Sequence, residues 1–161
     1  MSTDTMMRNL KSGEIDIGFL LAHDSVQDPA VAQEPIWSTR IGVVVPRDVE
    51  ALSLEALRER SFVMGLRENW RSFRALLDTA FAQGGLDPLV VDEAWDVQVI
   101  FQRVAEGRGL TFYPISAADS LPAALKILPV PGWSPGLTIA MAWSKVVDTK
   151  LLQDFRATFL G

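Results

Sequence analysis

VVDEAWDVQVIFQRVAEGRGLTFYP, residues 90–114, reads as strand, turn, helix, glycine-bounded turn and strand. Val90 and Val91 are β-branched and apolar and precede the acidic pair Asp92 and Glu93, which suits a short buried strand. Asp96 stands where a helix N-cap belongs. From Val97 the apolar positions Val97, Ile100, Phe101, Val104 and Ala105 recur at helical spacing, so one face of that helix is buried. Gly107 and Gly109 end it, Leu110, Phe112 and Tyr113 restart an apolar strand, and Pro114 closes that strand. A strand-helix-strand unit of this kind joins parallel strands by a right-handed crossover.

Outward from this unit the same alternation continues. Residues 3–11 read as a short helix with Met6, Met7 and Leu10 on one side, and residues 15–21, IDIGFLL, form a near-continuous apolar run that predicts a parallel strand covered on both faces. After a polar loop, residues 31–37 and 40–46 are two extended pieces, or one long strand bent between Trp37 and Arg40. Ser53 caps a helix beginning at Leu54, residues 62–66 are a strand, and residues 69–83 make the clearest helix, striped by Phe73, Leu76, Leu77, Ala80 and Phe81. Beyond Pro114 come a helical turn at residues 115–118 and a strand at 125–130. The loop PGWSPG, a strand at 137–143 and a last helix follow; that helix is capped by Asp148 or Thr149, with Leu151, Leu152, Phe155 and Phe159 facing inward. Strands alternating with helices predict an α/β sheet. Because the chain opens on a helix and its first strand is strongly apolar, a preceding strand and helix are expected to be missing.

The 161 residues fit one domain or two small lobes, and 48% hydrophobic composition suffices for a core. A net charge of -5 argues against a nucleic-acid surface on this chain. Cysteine is absent, which excludes disulfides and thiol chemistry. No signal peptide or spanning run is visible, so the expectation is a soluble, cytoplasmic protein without a membrane partner.

Three segments, LKSGEIDIGF at residues 10–19, EPIWSTRIGVVVPRD at 34–48 and VAEGRGLTFYPIS at 104–116, resemble successive signatures of the effector-binding region of LysR-type transcriptional regulators. LTIAMAW at 137–143 resembles that family's penultimate strand, and the order and spacing of these segments cover nearly the whole chain. The resemblance implies a two-lobe, periplasmic-binding-protein-like (type 2) α/β fold lacking the first strand and helix of its first lobe. Lobe I would comprise residues 1–39 and 126–161 and lobe II residues 40–125, with crossing strands near residues 39–43 and 125–128. It further implies a small organic effector, expected to be an anion, held between the lobes. The chain would form a homodimer through residues 69–83 and 89–91, and would act on DNA only through a winged helix-turn-helix absent from this chain. A solute-binding protein of the same fold, without a regulatory role, is the alternative.

Ligands of an α/β sheet sit at the carboxyl ends of strands, where helix N-termini present free amides. That rule selects Leu21, Ala22 and His23 after the first strand, Met64, Gly65, Leu66 and Arg67 after the strand at Phe62, Trp95, Asp96 and Val97 after the central strand, and Tyr113 with Pro114. Trp95 either lines the cleft or plugs the lobe interface; Asp96 either caps its helix or meets the ligand. Arg67 offers a planar fork to a carboxylate or is merely solvated beside Glu68, and Trp70 is expected to pack under the long helix. His23, the sole histidine, reads as a surface residue. No catalytic residue is assigned, since His23 has no evident serine partner, and no metal-ligand spacing or cofactor fingerprint appears: the Gly107–Gly109 pair ends a helix instead of opening one. Asp92 and Glu93 are adjacent on a strand and face opposite ways, so they cannot act as a carboxylate pair. The chain is therefore read as a sensor, not an enzyme.

Overall fold

The computed structural model describes residues 3–22, 27–147 and 149–160. The elements, in order, are α1 (Thr3–Ser12), β1 (Ile17–Leu21), β2 (Val31–Pro46), α2 (Leu54–Arg58), β3 (Ser61–Gly65), α3 (Arg71–Gly84), β4 (Leu89–Ala94), α4 (Val97–Ala105), β5 (Thr111–Pro114), a 3-10 turn (Ile115–Ser120), β6 (Leu125–Leu128), β7 (Gly136–Ser144) and α5 (Lys150–Leu160). The chain forms two compact units, Met1–Ser38 with Thr138–Gly161, and Thr39–Leu137. Strands β2 and β7 carry the chain across the two boundaries.

In the first unit α1 is anchored by Leu10, fully buried against Leu20, Val31, Ala140 and Ala142. On a second cluster Met141, Trp143 and Leu152 pack with Ile17, Ala32 and Ile36. Strand β1 pairs antiparallel with β7, from Ile17↔Trp143 to Leu21↔Ile139, and Phe19 is 44% exposed, so the parallel, doubly covered strand expected from IDIGFLL is not what forms. An apolar run reports burial without direction, and LTIAMAW supplies a partner running the other way. In α5, Thr149 Oγ1 accepts from the Leu152 amide at 3.3 Å, while Asp148 lies outside the described residues. Of the four residues expected to face inward only Leu152 is buried; Leu151, Phe155 and Phe159 are exposed. Positions 151, 155 and 159 stack one turn apart, whereas Leu152 lies about 100° around the helix and is the one buried against the sheet; Phe159 reaches β1 only at its rim, edge-on to Phe19 at 5.9 Å.

The second unit builds its sheet on β2, which pairs antiparallel with β5 on one side (Ile41↔Pro114 to Val44↔Thr111) and with β6 on the other (Val43↔Leu128 to Pro46↔Leu125). Strands β3 and β4 are parallel, and β3 meets Leu110, just ahead of β5, in a parallel bridge. Strands β4 and β5, joined through α4, therefore flank β3. Gly109 makes this possible: a Cβ there would stand 2.9 Å from the Ser61 carbonyl oxygen, so only glycine lets the two backbones approach. One residue later Leu110 donates to Ser61 O and accepts from Val63 N, both at 2.8 Å.

The core of this unit is aromatic. Phe62 stacks on Phe112 at 4.8 Å between centroids, and Phe81 and Trp133 stack at 5.8 Å and close around the same ring. Trp133, from the PGWSPG loop, is 5% exposed and donates through Nε1 to Ala80 O at 3.0 Å. This anchor retains the loop after β6 in the second unit, so the return to the first unit runs through β7 instead of residues 125–128. Caps read from sequence are present: Ser53 Oγ accepts from Ala56 N at 3.1 Å, and Asp96 Oδ1 from Gln98 N at 2.7 Å.

Replacing Trp133 by Ala removes a buried ring and its hydrogen bond, and is expected to cost about 3–5 kcal/mol in denaturant unfolding, against under about 1 kcal/mol for Leu151→Ala, at a position 82% exposed on α5.

Candidate functional site

The carboxyl ends of β3 and β4 in the second unit are tied together by backbone and side-chain bonds. The Leu66 amide donates to Ala94 O at 2.9 Å, joining the two strand tips. Trp70, at the N-cap of α3, donates its indole Nε1 to Trp95 O at 3.1 Å. Its ring lies flat over Gly65, where any Cβ would overlap it. Trp95 itself is 67% exposed, with its indole on the outside of a strand-to-helix turn. Asp96 next to it spends its carboxylate on capping α4.

Behind these tips lies a buried arginine that sequence reasoning missed. Arg74 on α3 is 5% exposed; its Nη1 donates to Gly65 O and to Glu93 Oε1, both at 2.7 Å, and its Nε has no partner among the described residues. On the opposite face of β4, Arg103 of α4 donates to Asp92 Oδ1 at 2.7 Å and Glu93 O at 2.9 Å. The adjacent acids thus face opposite ways and each holds a different helix. The spacing Arg74 to Glu93 crosses α3 and a loop, so no local pattern announces it; an arginine on the apolar stripe of α3 is the signal that was there to read.

The structure brings Met64, Gly65, Val97 and Tyr113 around one void, with Trp70 and Arg74. At about 10 Å3 it is the size of a single water and excludes an organic molecule. Met64 is buried beneath the tip, and Leu66 and Pro114 are half-buried. Arg67 is exposed and its fork is occupied: Nη1 and Nη2 donate to the Asp78 carboxylate at 2.6 and 3.3 Å, and that carboxylate holds the guanidinium above its ordinary range. Leu21 and Ala22 belong to the first unit, at the end of β1, where Ala22 N donates to Thr138 O at 2.8 Å; His23 lies outside the described residues. Among the described residues no group of His, Asp and Glu assembles for a metal, and no helix is long and apolar enough to cross a membrane.

Tyr113, half-buried edge-on against Phe101 at 5.1 Å, has its phenol pushed above the usual value by desolvation. Above about pH 10 the folded chain therefore binds more protons than the unfolded one, and stability falls as pH rises through that range while being complete below it. Tyr113 is the sole tyrosine, so the rise of phenolate absorbance reads it directly. The midpoint is expected above that of free tyrosine, and Tyr113→Phe should flatten the alkaline loss of stability.

Removing the buried cation leaves Gly65 O and Glu93 without their donor, so Arg74→Ala is expected to cost about 2–4 kcal/mol. Arg67→Ala, which breaks an exposed pair, should cost under about 1 kcal/mol in the same urea titration.

The family model described as "LysR substrate binding domain" matches residues 1–161. The HTH-type transcriptional regulator AlsR of Bacillus subtilis (strain 168) is 29% identical over 122 residues, which cover 73% of this chain and 40% of that protein, so the chain spans about two-fifths of that relative's length. Among solved structures, full-length CbnR complexed with its target DNA superposes with a TM-score of 0.82 at 18% identity, covering 99% of this chain and 55% of that one. The regulatory domain of Synechocystis PCC6803 CcmR, in complex with 2-PG, does so with a TM-score of 0.81 at 17% identity, covering 99% and 79%. At such identities the likeness concerns the fold, which is the α/β, type 2 periplasmic-binding-protein-like fold of LysR effector-binding domains. The chain belongs to the LysR substrate-binding domain family.

Proposed function

We infer that this chain is the sensing part of a cytoplasmic transcriptional regulator, that it binds a small organic effector, and that it catalyses no reaction on it. The match of residues 1–161 to the LysR substrate-binding family carries this reading. The tips of β3 and β4, with Trp95 exposed beside the N-terminus of α4, support a ligand-contacting role for the second unit. An anionic group on the effector is the finer part of this reading, because amides at a helix N-terminus attract negative charge. The effector would shift a two-state equilibrium, which a DNA-binding region of the longer protein reports.

Self-association through α3 and β4 fits the surface. Strand β4 pairs only with β3 among the described residues, and Leu89 and Val91 on it are 61% and 51% exposed. A free edge with exposed apolar side chains is where a second chain adds. Val91→Asp is expected to move the sedimenting species from dimer to monomer, and an unchanged dimer would place the contact elsewhere.

The test of sensing is a thermal-shift screen of the 161-residue chain against small organic acids and a broader set of metabolites. A true effector at about 100 times its Kd should raise Tm by roughly 5–10 °C. Trp95→Ala should abolish that rise; an equal rise in both proteins would remove Trp95 from the contact, and a panel without any shift would count against sensing by this chain.

A further inference from the structure

The backbone that carries Trp95 is pinned on both sides, while the ring it carries is not. Ala94 O accepts from Leu66 N, Trp95 O accepts from Trp70 Nε1, and Asp96 Oδ1 accepts from Gln98 N, so three successive residues each commit an acceptor to a fixed donor. Between them the indole of Trp95 remains 67% exposed. A large aromatic ring left in water on a pinned backbone gains little from folding; on binding it offers a flat contact surface whose backbone ordering cost is already met. Asp96 next to it is engaged by Gln98 N, and Arg67 at the β3 tip by Asp78, which leaves the indole face as the open contact surface of Trp95.

We propose that the site selects an effector bearing a flat, unsaturated face that stacks on Trp95, and that Trp70 is the residue that positions Trp95 to receive it. This rests on the sensing role inferred above. Trp70 can reach the Trp95 carbonyl because Gly65 leaves room for its ring: a Cβ at Gly65 would overlap Cγ and Cδ1 of Trp70. Gly65, Trp70 and Trp95 thus form one device, running from the β3 tip through the start of α3 to the β4 tip. The edge-on contact of Trp70 with Phe73, at 6.1 Å, braces it from the helix side.

Two measurements on the 161-residue chain test this. In the first, matched pairs of acids that differ in flatness are titrated by tryptophan fluorescence: benzoate against cyclohexanecarboxylate, and cinnamate against 3-cyclohexylpropanoate. The flat member is expected to bind about 3- to 10-fold more tightly, the range of an aromatic stacking contact. Trp95→Ala should erase that preference. Equal affinities within both pairs, or no binding by any of the four acids, overturns the inference about effector class; the sensing role falls only if the wider metabolite panel is also silent.

The second needs no ligand. Trp70→Phe keeps a ring over Gly65 and removes the N–H, so exchange of the Leu66 and Gln98 amides, which donate to Ala94 O and Asp96 Oδ1 on either side of Trp95, should quicken about 3- to 10-fold, the worth of one hydrogen bond, while the amides of β1 stay unchanged. Gly65→Ala, which displaces the Trp70 ring and leaves its N–H present, should quicken the same two amides. Unchanged exchange at Leu66 and Gln98 in both variants, each still melting cooperatively, overturns the positioning role. For a ligand that does show the flat preference, Trp70→Phe should weaken the flat acid and leave its saturated partner unaffected, a split that a general loss of stability does not produce.

Discussion

The approach of the Gly109–Leu110 backbone to β3 is the constraint on which the second unit depends. With no Cβ at Gly109, Leu110 can exchange two 2.8 Å hydrogen bonds with Ser61 and Val63, and this sets β5 on the far side of β3 from β4. Everything at the tips inherits its level from that register. Phe62 stacks on Phe112 across the same pair of strands, and Phe81 and Trp133 close on those rings from α3 and the loop after β6. The aromatic core and the site behind Trp95 are thus two ends of one strand arrangement.

Charge in this unit is used to hold helices against the sheet. Arg74 fastens α3 to both strand tips, and Arg103 fastens α4 to the opposite face of β4. Burying the Arg74 guanidinium is costly unless its donors are engaged, and its Nη1 meets both a carboxylate and a main-chain carbonyl. The exposed Arg67–Asp78 pair does less for stability, yet it removes from the surface the cation that looked most available to a ligand. What faces solvent at the β4 tip is therefore an aromatic plane.

Much of this was legible in the sequence. Residues 90–114 gave their strand, helix and strand with the right cap at Asp96, and the glycines after α4 fell where the turn occurs. The opposed facing of Asp92 and Glu93 follows from the period of a strand and is present. The losses share a cause. The direction of β1, the inward side of α5 and the segment that returns to the first unit all depend on partners distant in the chain, and apolar periodicity carries burial without naming the partner. Trp133 read as part of a loop because its neighbours are Pro, Gly and Ser; its burial is decided by α3, some fifty residues earlier. In the candidate site Trp95 and Asp96 were placed by the strand-end rule, while the indole that holds Trp95 and the arginine beneath it were not, since both act across elements.

Strand β4 carries an irregularity opposite β3, where Phe62 pairs with Val90 but Val63 with Asp92, leaving Val91 as an extra residue. That single insertion lets Val90 and Glu93 address the same helix although they are three positions apart, and it turns Asp92 toward α4. Length and charge are consequently linked along this strand. A chain one residue shorter at this point would turn Asp92 instead of Glu93 toward α3, so the partners of Arg74 and of Arg103 both depend on the one extra residue.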